Sequence, residues 1–348
     1  MRIGLGLITC QTVAGDRRTW TDLYSEALQL CRIAENLGFD SVWTPEHHFF
    51  PDGYMSAPLT FAAAAVAVTT RLKVGQEIML APLYDPVHLA EEAATIDQIS
   101  GGRLILGVGT GWRREEFDVF APSWETRAHQ LSESVRVLRG AFGDEPFTFE
   151  GEFHTYRNLY VTPKPVQRPS VQILMGAYTD PGIRRAARLG DGYIVPFPGY
   201  EEADRRKALA LETVRSAGRD PDTFSFTFHQ AFHITDDCDA FEEALPHLHY
   251  MSAQLAQMGE AKGQVTPAVP SVATREQIDR YRSSIVAGDP ARAAEWVDTF
   301  RDHFGDETIL IARLYLPGLA FERQVRAIEL FAKSVLTAPL SPVAIGGA

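Results

Sequence analysis

The sequence is poor in cysteine, carries no surplus of basic residues, and has no apolar run near the roughly 20 residues needed to cross a bilayer. Each shortage closes off a class of function. Cys10, Cys31 and Cys238 are too few for a disulfide framework and lack metal-ligand spacing, so they read as small buried hydrophobes in a reducing cytoplasm. Thirty-three Lys and Arg against 45 Asp and Glu leave a net charge of -12, which repels a phosphate backbone; nucleic acid is not an expected partner, and neither is a membrane. Residues 1–9, MRIGLGLIT, lack the long apolar core of a signal peptide and read as a first strand.

Short aliphatic or β-branched runs alternate with amphipathic helical stretches, the habit of parallel sheets built from βα units. Leu23, Ala27, Leu30, Ala34 and Leu37 fall at helical spacing before Gly38, a C-terminal cap. A strand over DSVWTPEHH, a helix from about Pro58 to Val68 and a strand over LKVGQEIML follow. Asp85 and Pro86 then open another helix, and RLILGVGTG continues the rhythm. Residues 144–165 break it as an inserted surface hairpin. VQILM, GYIVPF, TFSFTFHQAFHI and TILIARL complete eight strands, and a last helix carries Phe321, Val325, Ile328, Ala332 and Val335 on one face. The fold class expected is α/β, a (β/α)8 TIM barrel forming one domain over 1–338, with a tail at 339–348. Apolar periodicity fades at 258–284, which reads either as a lid over the barrel mouth or as a surface loop.

Three segments can carry chemistry. WTPEHHF ends the second strand, at the face where barrel enzymes place catalytic groups. Adjacent histidines on an extended chain point to opposite sides, so His47 and His48 do not share one metal. One of them can move a proton with Glu46 or a backbone carbonyl fixing its tautomer, and a structural role for each stays equally open. GVGTGWRREEF resembles a dinucleotide fingerprint, but Trp112 stands at its third glycine, which removes the close helix packing that motif needs. A glycine-rich turn able to approach a planar ring or an anion remains. In MGAYTDPGIRRAARLGDGY a strand ends in small residues and a helix begins, so its amides, Thr179, Arg184 and Arg185 can hold an anion, or Thr179 and Asp180 simply cap the helix. His229 and His233 lie too far apart on one strand to share a metal, and no metal site is expected.

Taken in order, WTPEHHF, LAPLYDPVHLAEEAATIDQISGGRLILGVGTGW and MGAYTDPGIRRAARLGDGY resemble the signatures of the bacterial luciferase-like flavin-dependent monooxygenases. That resemblance implies reduced FMN supplied by a separate flavin reductase, dioxygen, and a small or medium organic substrate that is oxygenated. It places the catalytic histidine at His47. It places a ring-contacting bulge, often with a non-prolyl cis peptide, at Glu77 and Ile78, and brings Gly109 and Thr110 near the flavin. Gly176, Ala177 and Thr179 match the phosphate loop, and Phe197 takes an aromatic position under the ring. Glu77 stands where the family usually has a small residue, and Thr110 where the luciferases carry an arginine. A homodimer is the assembly the resemblance implies. Alternatives are a deazaflavin-dependent hydride-transfer enzyme on the same barrel, a non-catalytic flavin-binding protein, and a metal-dependent hydrolase, the last without a ligand cluster to support it.

Overall fold

The computed structural model describes residues 1–120, 123–260 and 272–336. Its strands are β1 (Arg2–Gly6), β2 (Ser41–Thr44), β3 (Lys73–Gln76), β4 (Leu104–Val108), β5 (Phe147–Glu150), β6 (Thr155–Leu159), β7 (Gln172–Gly176), β8 (Gly192–Pro196), β9 (Ser225–Ile234), β10 (Ile285–Gly288) and β11 (Ile309–Arg313). The helices are α1 (Trp20–Leu37), α2 (Pro58–Ala67), α3 (Pro86–Ser100), α4 (Arg114–Phe120), α5 (Arg127–Phe142), α6 (Asp180–Leu189), α7 (Tyr200–Ser216), α8 (Ala240–Glu260), α9 (Arg275–Ser284), α10 (Pro290–Phe304) and α11 (Phe321–Val335).

Local chemistry sets the helix ends. Thr19 and Asp22 form a reciprocal capping box at the start of α1, and Gly38 closes it at φ 94°. Asp85 accepts from the amides of Val87 and His88 ahead of Pro86, as its sequence position predicts. β5 and β6 pair antiparallel as the inserted hairpin.

Eight parallel strands close in the order β1, β2, β3, β4, β7, β8, β9, β11 and back to β1. A parallel sheet needs both faces covered, and the helices supply the outer cover. Inside, Trp43, Ile105, Leu174, Ile194, Ile309 and Ile311 pack as one buried layer with Leu7 and Ile78. Trp43 fills the centre: a Cβ at Gly4 or Gly75 would collide with its indole, so glycine at those positions makes room for the ring. Because strand side chains alternate, the next inward positions towards the C-terminal mouth are Glu77, Gly176, His229 and Arg313.

β10 is an addition to the eight expected strands, pairing with the far end of β9 from Ala231 to Ile234. It lies just beyond the stretch read as a lid or loop. Of that stretch, 261–271 lies outside the described residues, as does the 339–348 tail, while 275–284 is the regular helix α9. Cys10 and Cys31 are buried, but Cys238 is exposed beside Arg323, contrary to the buried reading. Among the described residues no helix is long and apolar enough to cross a membrane.

Candidate active site

A cavity of about 490 Å³ opens at the C-terminal ends of the strands. Its first wall comes from the segment after β2. The Nδ1–H of His47 donates to Glu116 Oε1 at 3.0 Å, and the same oxygen accepts the His48 backbone N–H at 3.0 Å. Glu116, on α4, is 0% exposed and is absent from the cavity lining. The imidazole therefore has its back to a buried carboxylate, and among the described residues its Nε2 has no hydrogen-bond partner on the lining of the cavity. Tyr54, Phe50 and Trp112 pack against the His47 ring with centroids 5.1, 6.0 and 5.4 Å away, confining its orientation. Glu46 serves the other histidine: it contacts His48 Nε2 at 2.9 Å, accepts the Leu80 N–H at 2.6 Å, and accepts from the Tyr84 hydroxyl. The neighbouring histidines are thus held by separate carboxylates, and of the two His47 lines the cavity.

The floor of the opposite wall is aliphatic. The Glu77–Ile78 peptide is cis, as the resemblance implied. Ile78 lies between Gly109 and Gly176, where a Cβ on either would press on its side chain, so both glycines give the isoleucine space to present a flat apolar surface.

Beyond it, Gly176, Ala177 and Thr179 lead into α6. Thr179 occupies the N-cap in extended conformation but its side chain makes no cap hydrogen bond, and the Asp180 carboxylate accepts instead from Arg205 at 2.9 Å. The simple capping alternative is therefore not realised. A Cβ at Gly182 would meet Ala177 Cβ at 2.7 Å, so the loop folds closely over the helix start. Arg185 lines the cavity one turn in and makes no hydrogen bond or ion pair among the described residues; burial holds its guanidinium below the usual range. Helix amides without a side-chain cap, the Thr179 hydroxyl and a guanidinium unpaired among the described residues suit a phosphate group.

The third wall is charged. His229 Nδ1 is hydrogen-bonded to Glu77 Oε1, and Arg313 stands beside them at the end of β11. Glu77 is only 8% exposed, so it is a buried, paired carboxylate and not a solvent-facing one. Tyr54 joins the two charged walls: burial pushes its phenol up to about 12, with Glu77 and Glu116 adding to that and Arg313 opposing it.

His47, Glu77, Ile78, Thr110, Gly176, Ala177 and Thr179 thus meet around one cavity. Gly109 acts behind Ile78. Phe197 is not brought to this cavity: its ring packs edge-on against Phe228, Trp296 and Phe300, on the α10 side of the barrel wall. Glu116, His229, Arg313 and Arg185 complete the site. Arg185 had a signal in its place at a helix start; the other three depend on contacts between distant segments.

The luciferase-like monooxygenase family model matches residues 1–307. The chain belongs to that family. Within it, the chain is 35% identical over 282 residues to an F420-dependent glucose-6-phosphate dehydrogenase of Kineococcus radiotolerans, covering 77% of this chain and 81% of that protein. It is 32% identical over 184 residues to an FMNH2-dependent dimethylsulfone monooxygenase of Pseudomonas putida, covering 51% of this chain and 49% of the relative. A solved monooxygenase of Streptomyces bottropensis superposes with a TM-score of 0.79 at 27% identity, over 97% of this chain and 99% of its own. The luciferase-like family thus includes both FMNH2-dependent monooxygenases and F420-dependent oxidoreductases, and the chain is a flavin- or deazaflavin-dependent oxidoreductase on a (β/α)8 barrel.

Proposed function

We propose that this protein is a two-component monooxygenase that uses reduced FMN, delivered by a separate flavin reductase, to oxygenate a small or medium organic substrate. The observation that carries the reading is the His47 imidazole, clamped from behind by a buried carboxylate and facing a cavity whose other end suits a phosphate. Ile78 would support the isoalloxazine face, with Glu77 and Thr110 alongside, and Gly176, Ala177, Thr179 and Arg185 would hold the phosphate. Bound reduced FMN would supply two electrons and activate dioxygen, one oxygen atom entering the substrate and the other leaving as water.

The chain's own part is proton management and dryness. With Nδ1–H committed to Glu116, His47 meets the cavity through Nε2, which accepts a proton or returns one to the departing oxygen. Trp43 and the aliphatic layer below exclude water from the floor, while Tyr54 and Trp112 shield the imidazole. Cytoplasmic location and a homodimer accompany this proposal.

Hydride transfer with a deazaflavin is the second reading, favoured by the 35% identity to an F420-dependent dehydrogenase. Titrating the purified protein with reduced FMN and with reduced F420, then admitting dioxygen before a substrate panel, separates the two. FMN preference with ¹⁸O from ¹⁸O2 in a product supports oxygenation; F420 preference with dioxygen-independent oxidation of substrate overturns it. His47→Ala is expected to keep FMN binding and lose turnover, whereas unchanged turnover removes His47 from the chemistry.

A further inference from the structure

Arg313, on the third wall of the cavity, has no task in holding or protonating the cofactor. Arg313 follows Ile309 and Ile311 on the inward face of β11, so strand alternation sends its guanidinium to the mouth of the barrel. Among the described residues it makes no hydrogen bond or ion pair, and its Nε is buried without an acceptor. A desolvated guanidinium donor without a partner is costly, and the cost is recovered when a ligand brings an acceptor. Glu77, a carboxylate on the same lining, is bonded to His229 and forms no ion pair with Arg313 among the described residues. Glu46, the other carboxylate on the lining, is engaged by His48, Tyr84 and the Leu80 amide.

We propose that Arg313 forms an anion subsite for the substrate, so that the molecule processed here is an organic oxyanion, a carboxylate or phosphate monoester on an apolar body. The inference rests on the flavin reading for its meaning as a substrate site. The planar guanidinium fork matches such groups in a way a neutral amide cannot. Glu77, fixed by His229, sets the strength of the subsite by opposing the incoming charge, so the two side chains act with opposite sign.

Isothermal titration of the full chain, with FMN bound and without it, would use hexanoate, hexyl phosphate and neutral hexanamide as probes. One of the two anions is expected to bind at least tenfold more tightly than the amide, and which one identifies the oxyanion. Arg313→Gln should bring that anion to within about twofold of the amide, and Arg313→Lys should recover part of the difference. Glu77→Gln should tighten anion binding severalfold, a rise that loss of packing alone would not give, and this variant decides the matter if Arg313→Gln fails to fold. Equal binding of all three probes to the wild type, or an anion preference abolished by Arg185→Gln and untouched by Arg313→Gln, overturns the proposal. Failure to bind FMN while the Arg313-dependent preference persists would instead overturn the cofactor reading and leave the subsite standing.

Discussion

Replacing Glu116 tests how the site fixes the protonation of His47. One oxygen of this fully buried carboxylate takes both His47 Nδ1–H and the His48 amide at 3.0 Å. A hydrogen bond to a charged group contributes about 1.5–3 kcal/mol. At about 1.4 kcal/mol per decade, that biases the ring towards the Nδ1–H form by roughly 10- to 150-fold. Glu116→Gln offers a neutral acceptor that can serve either the amide or the ring, and the bias should fall accordingly. ¹⁵N NMR of histidine-labelled protein reads the tautomer directly: wild type should show a protonated Nδ1 and a bare Nε2 at His47, and the variant should show mixed populations. Flavin-dependent turnover should drop by about twofold, the share of rings that leaves the Nδ1–H form when the bias disappears, while FMN affinity stays within about threefold because Glu116 is not on the lining. A wild-type ring already protonated at Nε2, or a variant with unchanged NMR shifts and turnover, would refute the argument.

Arg185→Gln should weaken FMN at least tenfold yet leave riboflavin affinity unchanged, because the guanidinium would serve only the phosphate; equal losses for both ligands in fluorescence titrations would remove that role. Trp43→Ala should cost about 3–5 kcal/mol in denaturant unfolding, since the indole fills the barrel centre and Gly4 and Gly75 offer no side chain to collapse inward; a loss under about 1 kcal/mol would contradict that packing. His233 and His247 are held below the ordinary imidazole range chiefly by burial, which outweighs the opposing pull of Glu243 on both. The unfolded chain therefore takes up these protons first as pH falls through about 6.5. Stability present at higher pH is lost below that point, so the Tm should be lower at pH 5.5 than at 7.5, with a smaller drop in His247→Asn. A flat profile would speak against it.

The barrel was legible because its strands are short aliphatic runs and its helices carry local stop and start signals, such as Gly38 and the Asp85–Pro86 pair. β10 escaped notice because IVAG is four residues long and gains its strand identity from an edge of β9 that no local pattern announces. The helix α9 did leave a trace, the Thr274–Gln277 capping box, within a stretch whose polarity masked it. At the site, His47 and the α6 loop could be read from their place at strand ends. Glu116 could not, because in RREEF it looks like one more solvated charge until a contact 69 residues away buries it. The same holds for His229, whose partner Glu77 is 152 residues distant. Phe197 shows the opposite failure: an aromatic at the right place in the chain was taken up by the packing of α10.

The indole of Trp43 has one more effect, on traffic. With the barrel axis filled at that level, a ligand resting on Ile78 has no path along the axis towards the N-terminal face and enters and leaves on the side of the strands' C-terminal ends.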